Sequence, residues 1–476
     1  MKRNTHASCT SILIGKKATL DGSTLIGRNE DNYIVLAPQR FAVHPHQELD
    51  HEEVYHSHLN SFSMKLPKLR FRYTSTPDAV DSYDTYEGSG INERNVAMSA
   101  TESIYANARV LGYDPLNTET GIAEESMTSV VLPYITSARD GVLRLGKIVE
   151  THGAAESNGM LFADKDEVWY MEIATGHLWA AQRIPDDCYA VVANQMAIQE
   201  IDPSDKDNFL VAPGLVDFIE THHLNTGFGT LNFREIFGTW GEFDHHYNTP
   251  RVWYSQKYLT PEVDQDPLSN NLPLIRKSNR KLGPEDAQFV LSYHYQETPY
   301  DPLGNGSKED RTRFRAVSLN RTQNSHLLQI RPNVPEKLAG VHWVAFGTNV
   351  FSPYVPFYTA ISKVPESYAV TPEKLTMDAA YWLHRIIAVI AEPHFHMFEK
   401  PVNDFKNHVH SLCLANLAKT DAEIASGKIE ASEQLLDAVN EKNAAIANSE
   451  TLKLLQQLTT DSLSLSKLSF TMDENL

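Results

Sequence analysis

The order of segments along the chain predicts an α+β layered enzyme fold. Strand-like runs come first, then a helical block, further strands, and finally a helical tail. A doubly wound parallel sheet would instead alternate strand and helix regularly. Two local patterns carry the reading. The apolar signal has period two across 159–194, and 404–460 is rich in Ala, Leu, Glu and Lys at helical spacing.

Residues 11–14 are mostly apolar, with β-branched Ile12 and Ile14, Lys16-Lys17 and Asp21-Gly22-Ser23 punctuate the chain, and 24–27 resume the apolar run. This predicts two short strands joined by a Gly-containing turn. Antiparallel pairing would set Cys9, at the start of one strand, beside Arg28 to Asp31 at the end of the other. Residues 44–58, rich in His and Glu, read as a solvated loop, and 65–72 as an exposed strand. Residues 91–100 read as a turn entering another strand.

Ser137-Ala138-Arg139-Asp140 resembles a helix capping box. Val142, Leu143, Leu145, Ile148 and Val149 give the following helix an apolar face, and Gly153 stops it. Runs at 160–163, 168–173, 178–181 and 189–193, separated by polar turns, predict an antiparallel meander. Residues 195–303 are irregular and read as an insertion over the site. Further strands are predicted at 314–319, 327–330 and 341–346, then a helix over 375–391 broken by Pro393, then helices through 404–460. The expected division is a leader peptide over 1–8, a catalytic domain over 9–400 and a helical extension over 401–476 packed on it.

The chain has 476 residues, 41% hydrophobic and 22% charged, the profile of an ordinary soluble globular protein. Its formal net charge of −19 argues against nucleic acid or an anionic membrane as partner, since both favour basic faces. Three widely spaced cysteines, Cys9, Cys188 and Cys413, fit neither a disulfide framework nor a zinc knuckle. No apolar run reaches membrane-spanning or signal-peptide length, so no membrane partner is expected and the cytoplasm is the expected location. The histidines 44, 46, 51, 56 and 58, with Glu52 and Glu53, lack the His-Glu-x-x-His spacing of a zinc protease, so no metal and no cofactor is expected.

Cys9 is the residue that carries chemistry. Removal of eight residues would give it a free α-amine of pKa about 7.7–8.0, a base on the same residue as the nucleophile. Arg28, brought beside it by the hairpin, supplies a cation that lowers a thiol pKa, and Asp31 a carboxylate that orients the amine.

Here the chain resembles a known family. Cys-Thr-Ser-Ile-Leu-Ile-Gly-Lys-Lys-Ala at 9–18, Gly-Arg-Asn-Glu-Asp at 27–31, Met-Ser-Ala-Thr-Glu-Ser at 98–103 and Val-Val-Ala-Asn-Gln at 191–195 look like the bacterial dipeptidase A family. So do Ser-Leu-Asn-Arg-Thr-Gln-Asn-Ser-His at 318–326 and Pro-Tyr-Val-Pro-Phe-Tyr at 353–358. That family, peptidase family C69, belongs to the N-terminal-nucleophile (Ntn) cysteine hydrolases, with bile-salt hydrolases and penicillin V acylases as relatives. The likeness runs from about residue 9 to about residue 400.

The resemblance implies a four-layer αββα sandwich and dipeptide hydrolysis through a thioester. Residue by residue it makes Cys9 the nucleophile, with Arg28 and Asp31 flanking it and Asn194 donating to the oxyanion. A second asparagine donor of bile-salt hydrolases aligns near Thr101-Glu102, where this chain has none. Glu102 is instead a candidate for meeting a substrate's free amine, its alternative being an exposed strand-end carboxylate. Arg313 matches the amidase Ser-Arg-Phe pattern as Thr-Arg-Phe, and Arg315 and Arg321 compete for the same role of steadying the site or a substrate carboxylate. Three other readings stay open: an acylase on non-peptide amides, a non-catalytic secernin-like interaction protein, and a metallopeptidase using the His-rich segment. Homo-oligomerisation through the charged C-terminal helices is the minority reading beside simple packing.

Overall fold

The computed structural model describes residues 9–80, 86–227 and 229–468. Its framework is thirteen strands in two antiparallel sheets. They are β1 (Thr10–Ile14), β2 (Thr24–Asp31), β3 (Ser89–Ile91), β4 (Ala97–Ser103), β5 (Asn158–Ala163), β6 (Val168–Ile173) and β7 (Trp179–Ile184). Then come β8 (Tyr189–Val192), β9 (Phe209–Val211), β10 (Ile275–Arg276), β11 (Thr322–Ile330), β12 (Gly340–Phe346) and β13 (Val355–Tyr358). The seven-stranded sheet has the order β10-β8-β1-β2-β11-β12-β13, and the six-stranded sheet the order β9-β7-β6-β5-β4-β3. The helices that matter to the packing are α1 (Glu124–Val131), α2 (Ala138–His152), α3 (Thr249–Leu259), α4 (Pro284–Ser292), α5 (Ala380–Ala391), α6 (Phe395–Ala425) and α7 (Glu433–Leu463).

Strands β1 and β2 are buried along their whole length, and period two divides their side chains between two cores. Leu13 and Ile26 point into a cluster shared with the six-stranded sheet, through Met98, Leu161 and Met171. Ile12, Ile14 and Leu25 point the other way, toward Val290 and Leu291 of α4. The sheets meet where β2 packs on β4, β5 and β6. Helix α2 lies against β5 and β6, α4 against β1, β2 and β11, and α7 against β13. The Ser137 hydroxyl accepts from the Asp140 amide to start α2, and Gly153 ends it at φ 79°. No helix among the described residues is long and apolar enough to cross a membrane.

Several elements differ from expectation. The fourth run of the expected meander leaves its sheet: β8 pairs with β1, Ser11 opposite Val192 and Ile14 opposite Tyr189. The turn before it presses on Gly15, where a Cβ would stand 2.5 Å from the carbonyl oxygens of Pro185 and Asp186. Residues 314–319 form no strand; Phe314, Ala316 and Val317 are buried, yet their backbone follows a loop. Burial without alternation misled the pattern there. The 65–72 stretch is split around Pro67 into Ser63–Lys65 and Leu69–Arg70, which pair with Val54–His56 and Gln47–Glu48. The His-rich segment is therefore partly two-stranded ribbon rather than loop. Helix α5 starts at Ala380, five residues later than expected, and α6 runs across residue 400 with Pro401 inside it.

Candidate active site

The β1–β2 hairpin forms with Thr10 opposite Asn29 and Ser11 opposite Arg28. Cys9, at the mouth of β1, is only 1% exposed. Arg28, fully buried on β2, donates from Nη1 to the Cys9 sulfur at 3.2 Å. Its Nη2 donates to Glu30 Oε2 at 3.2 Å, to Tyr86 Oη at 3.3 Å and to the Gly88 carbonyl at 3.1 Å. Glu124 Oε1 stands 3.8 Å from Nη1. Burial works against this guanidinium's charge, but Tyr86, Cys9, Glu30 and Glu124 together outweigh it and raise its pKa. Gly88 has to be glycine for this packing, since a Cβ would lie 2.3 Å from Glu30 Oε2 and 3.0 Å from Arg28 Nη2. Burial pushes the Glu30 carboxyl up to about 7 against the pull of Arg28, with Gln39 and Asn324 also donating to it.

The crossover of β8 delivers Asn194 to the same place. Val192 stands opposite Ser11, and Asn194 follows two residues later, fully buried. Its partner is a residue that sequence reasoning missed. Arg251, fully buried on α3, donates to the Cys9 carbonyl oxygen, to Thr10 Oγ1 at 2.8 Å and to Asn194 Oδ1 at 2.7 Å. Asn248 Oδ1 at 2.8 Å and the Tyr247 carbonyl at 2.7 Å accept its remaining donors. A guanidinium cannot accept, so the Asn194 atom facing Arg251 is its carbonyl oxygen and the NH₂ edge points away. That NH₂ donates one hydrogen to the Ser103 carbonyl at 2.9 Å, at the end of β4. The signal for Arg251 was faint: an arginine one residue past Pro250 in a segment read as irregular.

The other expected residues fall in different places. Asp31 is buried and accepts from Arg315 and from Thr322 Oγ1. Arg315 also donates to the Ala316 carbonyl at 2.9 Å and reaches Thr10 Oγ1 at 3.5 Å, so Asp31 connects to the residue after Cys9 through a guanidinium. Arg321 donates to Tyr247 Oη at 2.6 Å and to the Asn32 carbonyl at 3.3 Å. Arg313 is exposed and rests on the rings of Phe314 and Tyr300, at 5.3 and 5.8 Å. Glu102 pairs with Gly159 in the β4–β5 ladder, and its side chain lies outside the described residues, as does the leader over 1–8.

The remaining cysteines lack this setting. Cys413 is buried and Cys188 half-buried, both free, and burial pushes their thiols up to about 12 and about 11. No cluster of three or more metal-ligating side chains occurs among the described residues.

The sequence model described as peptidase family C69 matches residues 8–408. A probable dipeptidase of Latilactobacillus sakei is 51% identical over 470 residues, covering 99% of this chain and 98% of that one. Probable dipeptidase B of Lactococcus lactis is 42% identical over 95% of both chains. Dipeptidase A of Lactobacillus helveticus is 38% identical, over 95% of this chain and 96% of its own. Among solved structures, the Caenorhabditis elegans N-acylethanolamine-hydrolyzing acid amidase ortholog covers 69% of this chain and 94% of its own, at 13% identity and a TM-score of 0.31. That likeness is too small to bear on the fold.

Proposed function

The chain belongs to peptidase family C69 and is a hydrolase acting on peptide bonds, and from that premise we propose that it is a cysteine dipeptidase whose nucleophile is Cys9 freed at the N-terminus. The observation that carries the reading is the double hold on one residue: Arg28 on the Cys9 sulfur and Arg251 on its carbonyl oxygen. In the first step the α-amine of Cys9 takes the thiol proton and the sulfur attacks the peptide carbonyl. The Asn194 amide, oriented by Arg251, meets the oxyanion with its second N–H. The α-ammonium then returns the proton to the leaving amine, and the C–N bond breaks to leave a thioester. In the second step the same amine deprotonates water, which attacks the thioester and releases the acid and the thiol. Arg28, Asp31, Arg251 and Arg315 hold positions and charge through these steps. Helices packed on the far sides of two apposed sheets support the four-layer αββα arrangement of Ntn hydrolases for residues 9–400, with residues 401–476 continuing the outer helical layer.

N-terminal sequencing and intact mass of active protein test the proposal, together with a dipeptide panel. The active chain is expected to begin at Cys9, and Cys9→Ser to lose nearly all dipeptide hydrolysis. Full activity from a chain that still carries residues 1–8, or from Cys9→Ser, refutes the assignment. Turnover of acyl amides that lack an α-amine, with dipeptides untouched, would move the protein to the acylases.

A further inference from the structure

We propose that the carboxylates of Glu124 and Glu156 form a subsite for the α-ammonium of the incoming dipeptide, so that cleavage is tied to a free N-terminus. The proposal rests on the dipeptidase reading and names how that site selects its substrate class.

In a dipeptide the α-nitrogen lies two bonds from the attacked carbon, about 2.5 Å away, and that carbon must come within about 3–3.5 Å of the nucleophile. The substrate's positive charge therefore has to be met close to the Cys9 sulfur, in a dry site where an unpaired ammonium is costly. Around Cys9 the site already holds two cations, Arg28 on the sulfur and Arg251 on the carbonyl oxygen. Among the described residues Glu124 is the acid that shares a guanidinium nitrogen with the sulfur: Arg28 Nη1 lies 3.2 Å from the sulfur and 3.8 Å from Glu124 Oε1. Tyr86 fixes that carboxylate through a 2.5 Å hydrogen bond. Glu156 follows, its Oε1 accepting from the Glu124 backbone amide at 2.8 Å.

An independent observation points to a ligand in the same place. Asn158 is fully buried and its amide hydrogen-bonds the Glu156 carboxylate, whose charged form it favours, while its Oδ1 has no hydrogen-bond partner. Buried amides are rarely left so, and the missing partner is what a bound polar group would supply. Asn158 is also linked to the Asn194 side of the site. It pairs across the ladder with Ser103, and the Ser103 carbonyl is the acceptor for the Asn194 amide. The contacts thus run from the sulfur through Arg28, Glu124 and Glu156 to Asn158, and return through Asn194 and Arg251. Cations occupy one side of that ring and carboxylates the other. Burial, and next the charge of Glu124, push the Glu156 carboxyl up to about 7.

The test compares kcat/KM for L-Ala-L-Ala and N-acetyl-L-Ala-L-Ala in the full-length protein, processed as it occurs. Wild type is expected to prefer the free dipeptide strongly. Glu124→Gln should narrow that preference by about 10-fold or more, the loss of one charge-assisted contact, through a raised KM for the free dipeptide with little change for the acetylated one. Glu156→Gln should narrow it in the same direction and serves if Glu124→Gln fails to fold. Equal losses on both substrates would mean that these carboxylates serve the fold or the amine of Cys9 itself, and would overturn the proposal. A wild-type enzyme inactive on every dipeptide would instead overturn the dipeptidase reading, so the two failures are distinguishable.

Discussion

At Asn194 the orientation of one amide decides what the residue can do. Arg251 offers only donors, so it fixes the Asn194 oxygen on its own side and leaves the NH₂ edge for Ser103 and, in the proposed mechanism, for a developing oxyanion. Removing such a donor costs about 2.7–4 kcal/mol of barrier. Asn194→Ala is therefore expected to lower kcat by about 10²–10³ with KM little changed, as steady-state kinetics on a dipeptide would show. A change confined to KM would assign Asn194 to substrate binding instead. Cys9, Arg28, Asp31 and Asn194 were legible as candidates because each sits in a short motif of the right residue types. Arg251 was not, because nothing local distinguishes a buried arginine that bridges five partners from one that lies on a helix surface. Among Arg313, Arg315 and Arg321 the sequence offered no ranking either. Burial ranks them: Arg315 pairs with Asp31 inside the protein, and Arg313 lies outside.

Among the elements, the loop that follows β8 holds Asn194, and a second strand anchors it. Glu172 of β6 is buried and accepts from the backbone amides of Ala197 and Ile198. Burial raises its pKa to about 7, against the pull of those amides and of Arg234. Between about 4.5 and about 7 the folded protein holds a proton there that the unfolded chain releases. Stability contributed by this group is therefore full at low pH and falls as pH rises through that window. Denaturant melts of wild type and Glu172→Gln across pH 4.5–7.5 should show the wild type losing stability relative to the variant, which carries no titrating group. A difference independent of pH would mean that Glu172 is ionised throughout. The hairpin of β1 and β2 was readable because turn residues and β-branched runs are local signals. The transfer of β8 between sheets was not, because a meander and a crossover have the same alternation. What separates them is a close approach at Gly15 to a turn 170 residues away.

Across the whole molecule, the C-terminal helices join the fold instead of trailing from it. Asn440 of α7 donates to the Tyr358 carbonyl and accepts from the Tyr358 amide, both at 2.9 Å, so it completes the free edge of β13. Asp437 one turn earlier accepts from Ser362 Oγ at 2.6 Å. Asn440→Ala would leave two buried backbone groups unpaired and is expected to cost about 1–3 kcal/mol for each, read as a lower denaturation midpoint. A variant as stable as wild type would show that water replaces the amide. The expected boundary at residue 400 had no physical mark, because α6 continues through it and spacing alone cannot tell an appended helix from one that covers a sheet.

The sequence by itself determined most of the core strands and helices, the β1–β2 hairpin, the candidate nucleophile and the family, since each depends on neighbours a few residues apart or on motifs kept in order. Only the tertiary structure decided which sheet receives β8, which arginine orients Asn194 and which acid shares Arg28 with the sulfur. These depend on contacts such as that between Arg251 and Cys9, 242 residues apart, where burial makes a charge find its partner across the fold, not along the chain.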